Sequence, residues 1–124
     1  MIHAVIVGMG VGRVILGLTP FVAAERSAAM LGFPPAHDTP TTRLMARFFG
    51  VRDIGLGVLV FYALAHPLVL SFVILFNSLT DFGDLFAIAI PLLRRQGIDR
   101  AAWSSAAFAF PAGVAWLIVL SQLP

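Results

Sequence analysis

Four long apolar stretches separated by short polar segments run the length of the chain. A membrane-crossing helix needs about 20 mostly apolar residues, and the stretches at about residues 2–24, 46–65, 67–93 and 101–123 meet that requirement. The second and third are parted only by His66-Pro67, which predicts a tight helical hairpin. No internal repeat and no low-complexity linker interrupts the pattern. The expected architecture is all-α: a single transmembrane domain over residues 1–124, folded as a four-helix bundle. In the longest polar segment, Glu25 to Phe33 is expected to form a short interfacial helix with Met30, Leu31 and Phe33 toward lipid, ended by Pro34-Pro35. Thr39-Pro40 then reads as an N-cap followed by proline at the first helical position, so the second long helix is expected to begin near Pro40.

Composition sharpens this picture. The 124 residues are 60% hydrophobic and 11% charged, with a mean hydropathy of +0.97, against roughly 45–50% and 25% in soluble domains. So few charges cannot cover the surface of a small water-soluble protein. An ordinary soluble enzyme, a disordered tail and a nucleic-acid-binding module are excluded. Cysteine is absent, which removes disulfides, thiol redox chemistry and Cys-ligated metals. The basic residues are all arginines, and those between the spans fall at one end: Arg26, Arg43 and Arg47, then Arg94, Arg95 and Arg100. The other end, holding both termini and His66, has none. Basic loops stay on the cytoplasmic side. The expectation is therefore a protein integral to the bacterial cytoplasmic membrane, with arginine-rich loops inside and both termini outside. So one-sided a bias argues against a dual-topology dimer of the small multidrug transporter kind.

Five charged residues fall within the apolar spans: Arg13, Arg52, Asp53, Asp81 and Asp84. A charge at mid-bilayer costs roughly 2.5–3.5 kcal/mol even on the lenient insertion scale, and persists where it faces the bundle interior and finds a partner. Counted at 1.5 Å per residue from the inner membrane edge, all five lie about 10–18 Å deep, in one slab. Asn77, Asp81 and Asp84 follow i, i+4, i+7 spacing on one face of the third span, and His3, Gly10, Arg13 and Gly17 share a face of the first. Gly50, Gly55 and Gly57 surround Arg52-Asp53, whose side chains point about 100° apart and so address two different neighbours. The expected result is a buried Arg/Asp cluster of Arg13, Arg52, Asp53, Asp81, Asp84 and Asn77. A continuous third helix with Asp81 bonded to Arg13 is the simpler expectation; local unwinding over Asn77–Asp84 around a wet cavity is the alternative. In the fourth span, Ala109, Ala112 and Gly113 offer a small-residue packing surface, Pro111 predicts a kink, and Trp103 sits where an interfacial anchor is favoured.

Other signals carry less. Gly8-Met-Gly10-Val-Gly12 resembles a dinucleotide-binding turn, but its spacing is G-x-G-x-G and no alternation of strands and helices follows. Val22-Ala23-Ala24 resembles a signal-peptide cleavage site, but the stretch before Arg13 is apolar rather than basic. His3 and His66 lie near the outer end and His37 in the long loop, and they read as interfacial histidines rather than haem ligands. Without Cys or a Glu-x-x-His pattern, no metal site and no cofactor are expected.

Gly12-Arg13 in the first span, Gly50-Val-Arg52-Asp53-Ile-Gly-Leu-Gly57 in the second and Asp81-Phe-Gly-Asp84 in the third resemble a family of small bacterial four-helix membrane proteins known as a domain of unknown function. Ala28-Ala-Met-Leu-Gly-Phe-Pro34 fits that family's Leu-Gly segment before the second helix. The resemblance implies a fold and no activity. Three functions then fit the charges. In the first, the cluster fixes helix register and the protein is a subunit or interaction partner of a larger membrane assembly, or a homo-oligomer. In the second, an intramembrane enzyme or binder takes a lipophilic small molecule, with Asp81 or Asp84 as a catalytic residue that holds a proton for cyclase- or isomerase-type acid-base chemistry. In the third, an oligomer acts as a proton-coupled transporter.

Overall fold

The computed structural model describes residues 1–124 and consists of five α-helices: α1 (Ile2–Val22), α2 (Ala24–Leu31), α3 (Pro40–Ala65), α4 (Pro67–Leu93) and α5 (Asp99–Gln122). All but α2 are long and apolar enough to cross a membrane. The breaks between them have local causes. Residues preceding proline are pushed out of the α region; His66, before Pro67, sits at φ −132°, ψ 77° and ends α3. Thr39 and Thr42 form a reciprocal capping box at the start of α3, with Thr42 N–H donating to Thr39 Oγ1 at 3.3 Å and Thr39 N–H donating to Thr42 Oγ1 at 2.9 Å. Short α2 stops at Gly32, whose φ of 97° suits glycine. The Arg100 side chain crosses over that glycine and ties α2 to the start of α5. In the loop before α3, Asp38 accepts two hydrogen bonds from Arg43, at 2.7 and 2.8 Å, and this bonding holds its carboxyl below the usual carboxylate range.

The long helices alternate in direction and pair as α1 with α3 and α4 with α5. Hairpin neighbours α3 and α4, though joined by a tight turn, share a thinner seam than either pair. Glycine decides the α1–α3 contact. A Cβ on Gly17 would stand 2.6 Å from the Gly50 carbonyl oxygen and 2.7 Å from the Ile54 nitrogen. One on Gly57 would stand 2.9 Å from the Gly10 oxygen. A Cβ on Gly50 would run into the Gly17 carbonyl. Gly10 and Gly17 on one helix thus meet Gly57 and Gly50 on the other, seven residues apart in each, in antiparallel register. Between lipid-facing helices there is no water to exclude, so close backbone approach of this kind is a main source of attraction. On the α4–α5 side the Phe82 ring lies over Gly113, and Ser78 Oγ donates to the Gly113 carbonyl oxygen at 2.9 Å.

The bundle has two storeys. At the end holding both termini, Ile6, Val60, Ala63, Leu70, Val73, Ile74, Trp116 and Val119 form an apolar core. Toward the other end, charged and polar groups fill the interior, and α2 packs across the ends of the long helices. Trp116 is a packing group in this core, whereas Trp103 is exposed. His3, which shares a face of α1 with Gly10, Arg13 and Gly17, is exposed at the end of the helix, and Ile6 is the buried residue there. α4 is a continuous helix through Asn77–Asp84, and α5 is helical through Pro111.

Replacing Gly17 by alanine should lower the unfolding free energy in detergent by about 1–3 kcal/mol, the usual cost of overpacking. Gly8→Ala, at a position where a Cβ meets nothing within 4 Å, should be neutral or slightly stabilising. Thermal melts of both variants followed by circular dichroism compare them directly; equal melting would show that the glycine contact does not hold the pair together.

Candidate functional site

The polar storey is built from three helices. α1 contributes Arg13, which lies between the two glycine contacts on the face turned to α3. α3 contributes the neighbours Arg52 and Asp53, and α4 contributes Asp81 and Asp84, three positions apart. Arg13 donates two hydrogen bonds to Asp81, Nη1 to Oδ2 and Nη2 to Oδ1, each 2.8 Å. Arg52 does the same to Asp84, again at 2.8 Å for each bond. Asp53 stands between the two pairs. Its Oδ1 is 3.5 Å from Arg13 Nη2 and accepts from Arg52 Nη2 at 3.3 Å. The five side chains thus make one continuous chain of charge: Asp81, Arg13, Asp53, Arg52, Asp84.

Planar, bidentate arginine–carboxylate pairs are the strongest ion pairs available to a protein. Here they are the condition for placing charges in hydrocarbon at all. The adjacency of Arg52 and Asp53 explains the layout: Asp53 turns toward α1, while the longer Arg52 reaches across to α4. The network carries two positive and three negative formal charges. The carboxylate without a guanidinium of its own is Asp53, whereas the chemistry expected from sequence centred on Asp81 or Asp84. Both of those are held bidentately, and proximity along α4 to two arginines on different helices is the reason.

The two halves of the network differ in exposure. The Arg13, Asp53 and Asp81 side chains are 6–8% exposed. The Arg52 and Asp84 side chains are 37% and 24% exposed. Arg52 also lies over the Phe49 ring, its guanidinium carbon 4.6 Å from the ring centroid, within cation–π range. Phe49 had no part in the sequence reading, although its i, i+3 spacing to Arg52 was a usable signal. Asn77 is fully buried one turn from Asp81, but its amide donates to the Val73 carbonyl oxygen at 2.9 Å and makes no hydrogen bond to the charged groups. Ser78, also fully buried, bonds α4 to α5.

The pairing generates a contrast between variants. Arg13→Met strips the partner from Asp81 and leaves three carboxylates with one guanidinium. Losing one member of a buried pair costs about 3–5 kcal/mol, so this variant should accumulate poorly and melt well below wild type. Asp53→Asn removes the excess negative charge and keeps both bidentate pairs, so its melting temperature should stay close to wild type. The reverse order of stabilities would show that Asp53, not the two pairs, holds the helices.

Comparison with known proteins places the chain in a family without assigning the site a role. Residues 10–122 match the model of a family described as Domain of unknown function (DUF4267). No curated protein and no solved structure matches the chain. The matched region includes Arg13, Arg52, Asp53, Asp81 and Asp84 together with all four glycines of the α1–α3 contact. Because the match spans nearly the whole length, the chain, with its four helices long and apolar enough to cross a membrane, belongs to this family of small proteins of unknown function.

Proposed function

We propose that this protein is a small subunit of a larger membrane assembly and that the Arg52–Asp84 edge of its charge network is where a partner helix docks. The half-exposed ion pair carries this reading. Arg43 and Arg47 mark the headgroup level at the start of α3, and Arg52 lies about 8–14 Å farther along the helix. An ion pair at that depth facing lipid on one side is costly. A polar or small-residue transmembrane helix of a partner would cover it. The deeper half, Arg13 with Asp81 and Asp53, needs no cover and acts as a register lock for α1, α3 and α4.

In this reading the end bearing Arg26, Arg43, Arg47, Arg94, Arg95 and Arg100 faces the cytoplasm, by the positive-inside rule. Both termini then face outward across the cytoplasmic membrane. α2 lies along the inner interface, with Met30, 81% exposed, directed to lipid.

A second reading rests on one atom. Asp53 Oδ2 makes no hydrogen bond, although its side chain is only 8% exposed. That oxygen would suit an intramembrane binder or enzyme taking a lipophilic molecule that carries one polar group.

The test is gentle purification from the native membrane followed by mass spectrometry, on wild type and on the double variant R52M/D84M. That variant removes the outer pair as a unit, so the net charge of the remaining network is unchanged. The wild type should bring down other polypeptides in fixed stoichiometry, and the double variant should fold yet lose them. A wild-type protein that purifies alone with a lipophilic molecule would overturn the subunit reading in favour of the Asp53 reading.

A further inference from the structure

The arginines at the end opposite the termini are not evenly spread. Where α1 gives way to α2, a cavity of about 360 Å³ is lined by Val22, Ala23, Ala24 and Glu25 together with Arg26, Arg43 and Arg47. Three arginines and one glutamate line this space. Arg43 is already engaged, donating to Asp38 at 2.7 and 2.8 Å and to Glu25 at 3.1 Å. Arg26 and Arg47 make no ion pair and no side-chain hydrogen bond to any residue of the chain. A second hollow, of about 440 Å³, opens on the far side of Arg43 and Arg47 and holds Asp38, Thr39 and Pro40. Arg43 and Arg47, one helical turn apart, therefore form a shared wall. One of them is neutralised by carboxylates, and the other is free to bind an anion.

Loop arginines that serve only to orient a membrane protein need no common target. Arg94 and Arg95, at the end of α4, are exposed and line neither of these cavities. Arg26 and Arg47 differ because they come from separate helices and converge on one concavity large enough for a tetrahedral oxyanion. Paired guanidiniums of this kind match phosphate geometry through charge-assisted hydrogen bonds.

We propose that the cavity between α1, α2 and α3 is a phosphate-binding site, with Arg26 and Arg47 as the binding residues and Arg43, clamped by Asp38 and Glu25, shaping the wall. The phosphate is that of an anionic phospholipid headgroup or of a free phosphate; both present the same oxyanion. Occupancy by a lipid would couple the position of α2 to the composition of the inner leaflet. This inference stands apart from the subunit reading, since the site lies on a different part of the surface from Arg52 and Asp84 and shares no residue with them.

The test uses the full chain in two arms. In the first, native mass spectrometry counts phosphatidylglycerol retained by protein released from phosphatidylcholine vesicles with and without phosphatidylglycerol. In the second, inorganic phosphate is titrated onto the detergent-solubilised protein, and thermal stabilisation is read. Three proteins are compared: wild type, R26Q/R47Q, and R94Q/R95Q, which loses the same charge away from the cavity. Circular dichroism confirms the helix content of each. The expected result is one strongly retained phosphatidylglycerol on wild type and on R94Q/R95Q, and binding weaker by about tenfold or more on R26Q/R47Q, as expected for loss of charge-assisted hydrogen bonds. If instead only inorganic phosphate stabilises wild type and R94Q/R95Q, again with loss in R26Q/R47Q, the ligand is a free phosphate and the site stands. Equal losses in the two double variants, or no difference among the three proteins in either arm, would overturn the site.

Discussion

Asp53 lies between two arginines that belong to different helices and are each already committed to another aspartate. That shared carboxylate makes one structure out of two ion pairs. Without it, Arg13–Asp81 would tie α1 to α4, and Arg52–Asp84 would tie α3 to α4, as separate contacts. With it, a displacement of any one of the three helices disturbs all five groups. In water such a network would be screened and would compete with hydration. Surrounded by apolar helices and lipid, it has no comparable alternative, because every group left unpaired would pay its full desolvation cost. The constraint is therefore geometric. Three helices must stand at one relative height and rotation for both bidentate pairs to form.

The backbone contacts obey the same constraint. For Asp53 to come within 3.5 Å of Arg13, α1 and α3 must approach closely. The glycines at 10, 17, 50 and 57 permit that approach above and below the charged level. A side chain at Gly17, Gly50 or Gly57 would push the helices apart, move Arg13 away from Asp53 and so reach the α4 aspartates through Arg13. The glycine seam and the charge network are accordingly two aspects of one contact. The α3–α4 seam has no such close glycine pairing and depends more on Arg52, which crosses it to Asp84. The apolar core at the other storey, centred on the fully buried Ile6, Val60 and Ile74, holds that end of the bundle without polar help. Order at the arginine-rich end comes from a different source, with the Asp38–Arg43 pair, Gly32 and the crossing Arg100 side chain fixing α2 and the loop that follows it.

Unequal exposure of the network gives the molecule a direction. Its inner half is finished within the chain. Its outer half, Arg52 and Asp84 with Phe49 stacked on the guanidinium, is paired but open on one side. A bundle whose polar interior breaks through to the lipid face at one seam differs from one that seals all its charges, and the assembly reading follows from that difference. The arginine-lined cavity below it is a separate feature, formed where α2 turns away from α1.

Much of this was legible in the amino-acid order. Four apolar stretches of the right length dictate four long helices, because a backbone in hydrocarbon must satisfy its own hydrogen bonds. Thr39-Pro40 and His66-Pro67 mark their boundaries through rules that act within a few residues. The five charges within the apolar spans announced a cluster because charge in a membrane must be paired, and i, i+4, i+7 spacing placed Asp81 and Asp84 on one face. Sequence pointed to the Arg13–Asp81 pair, which the structure contains, but left the partners of Arg52 and Asp53 unassigned. Which aspartate each arginine takes depends on the relative height and rotation of α1, α3 and α4, and these follow from the Gly10–Gly57 and Gly17–Gly50 contacts between residues far apart in the chain. For the same reason only the tertiary structure decided that Asp53 is the shared carboxylate, that Asn77 turns to its own helix, and that Arg26 and Arg47 meet across one cavity. Local chemistry sets where helices begin and end; the partners of a buried charge are set by packing, which no single segment contains.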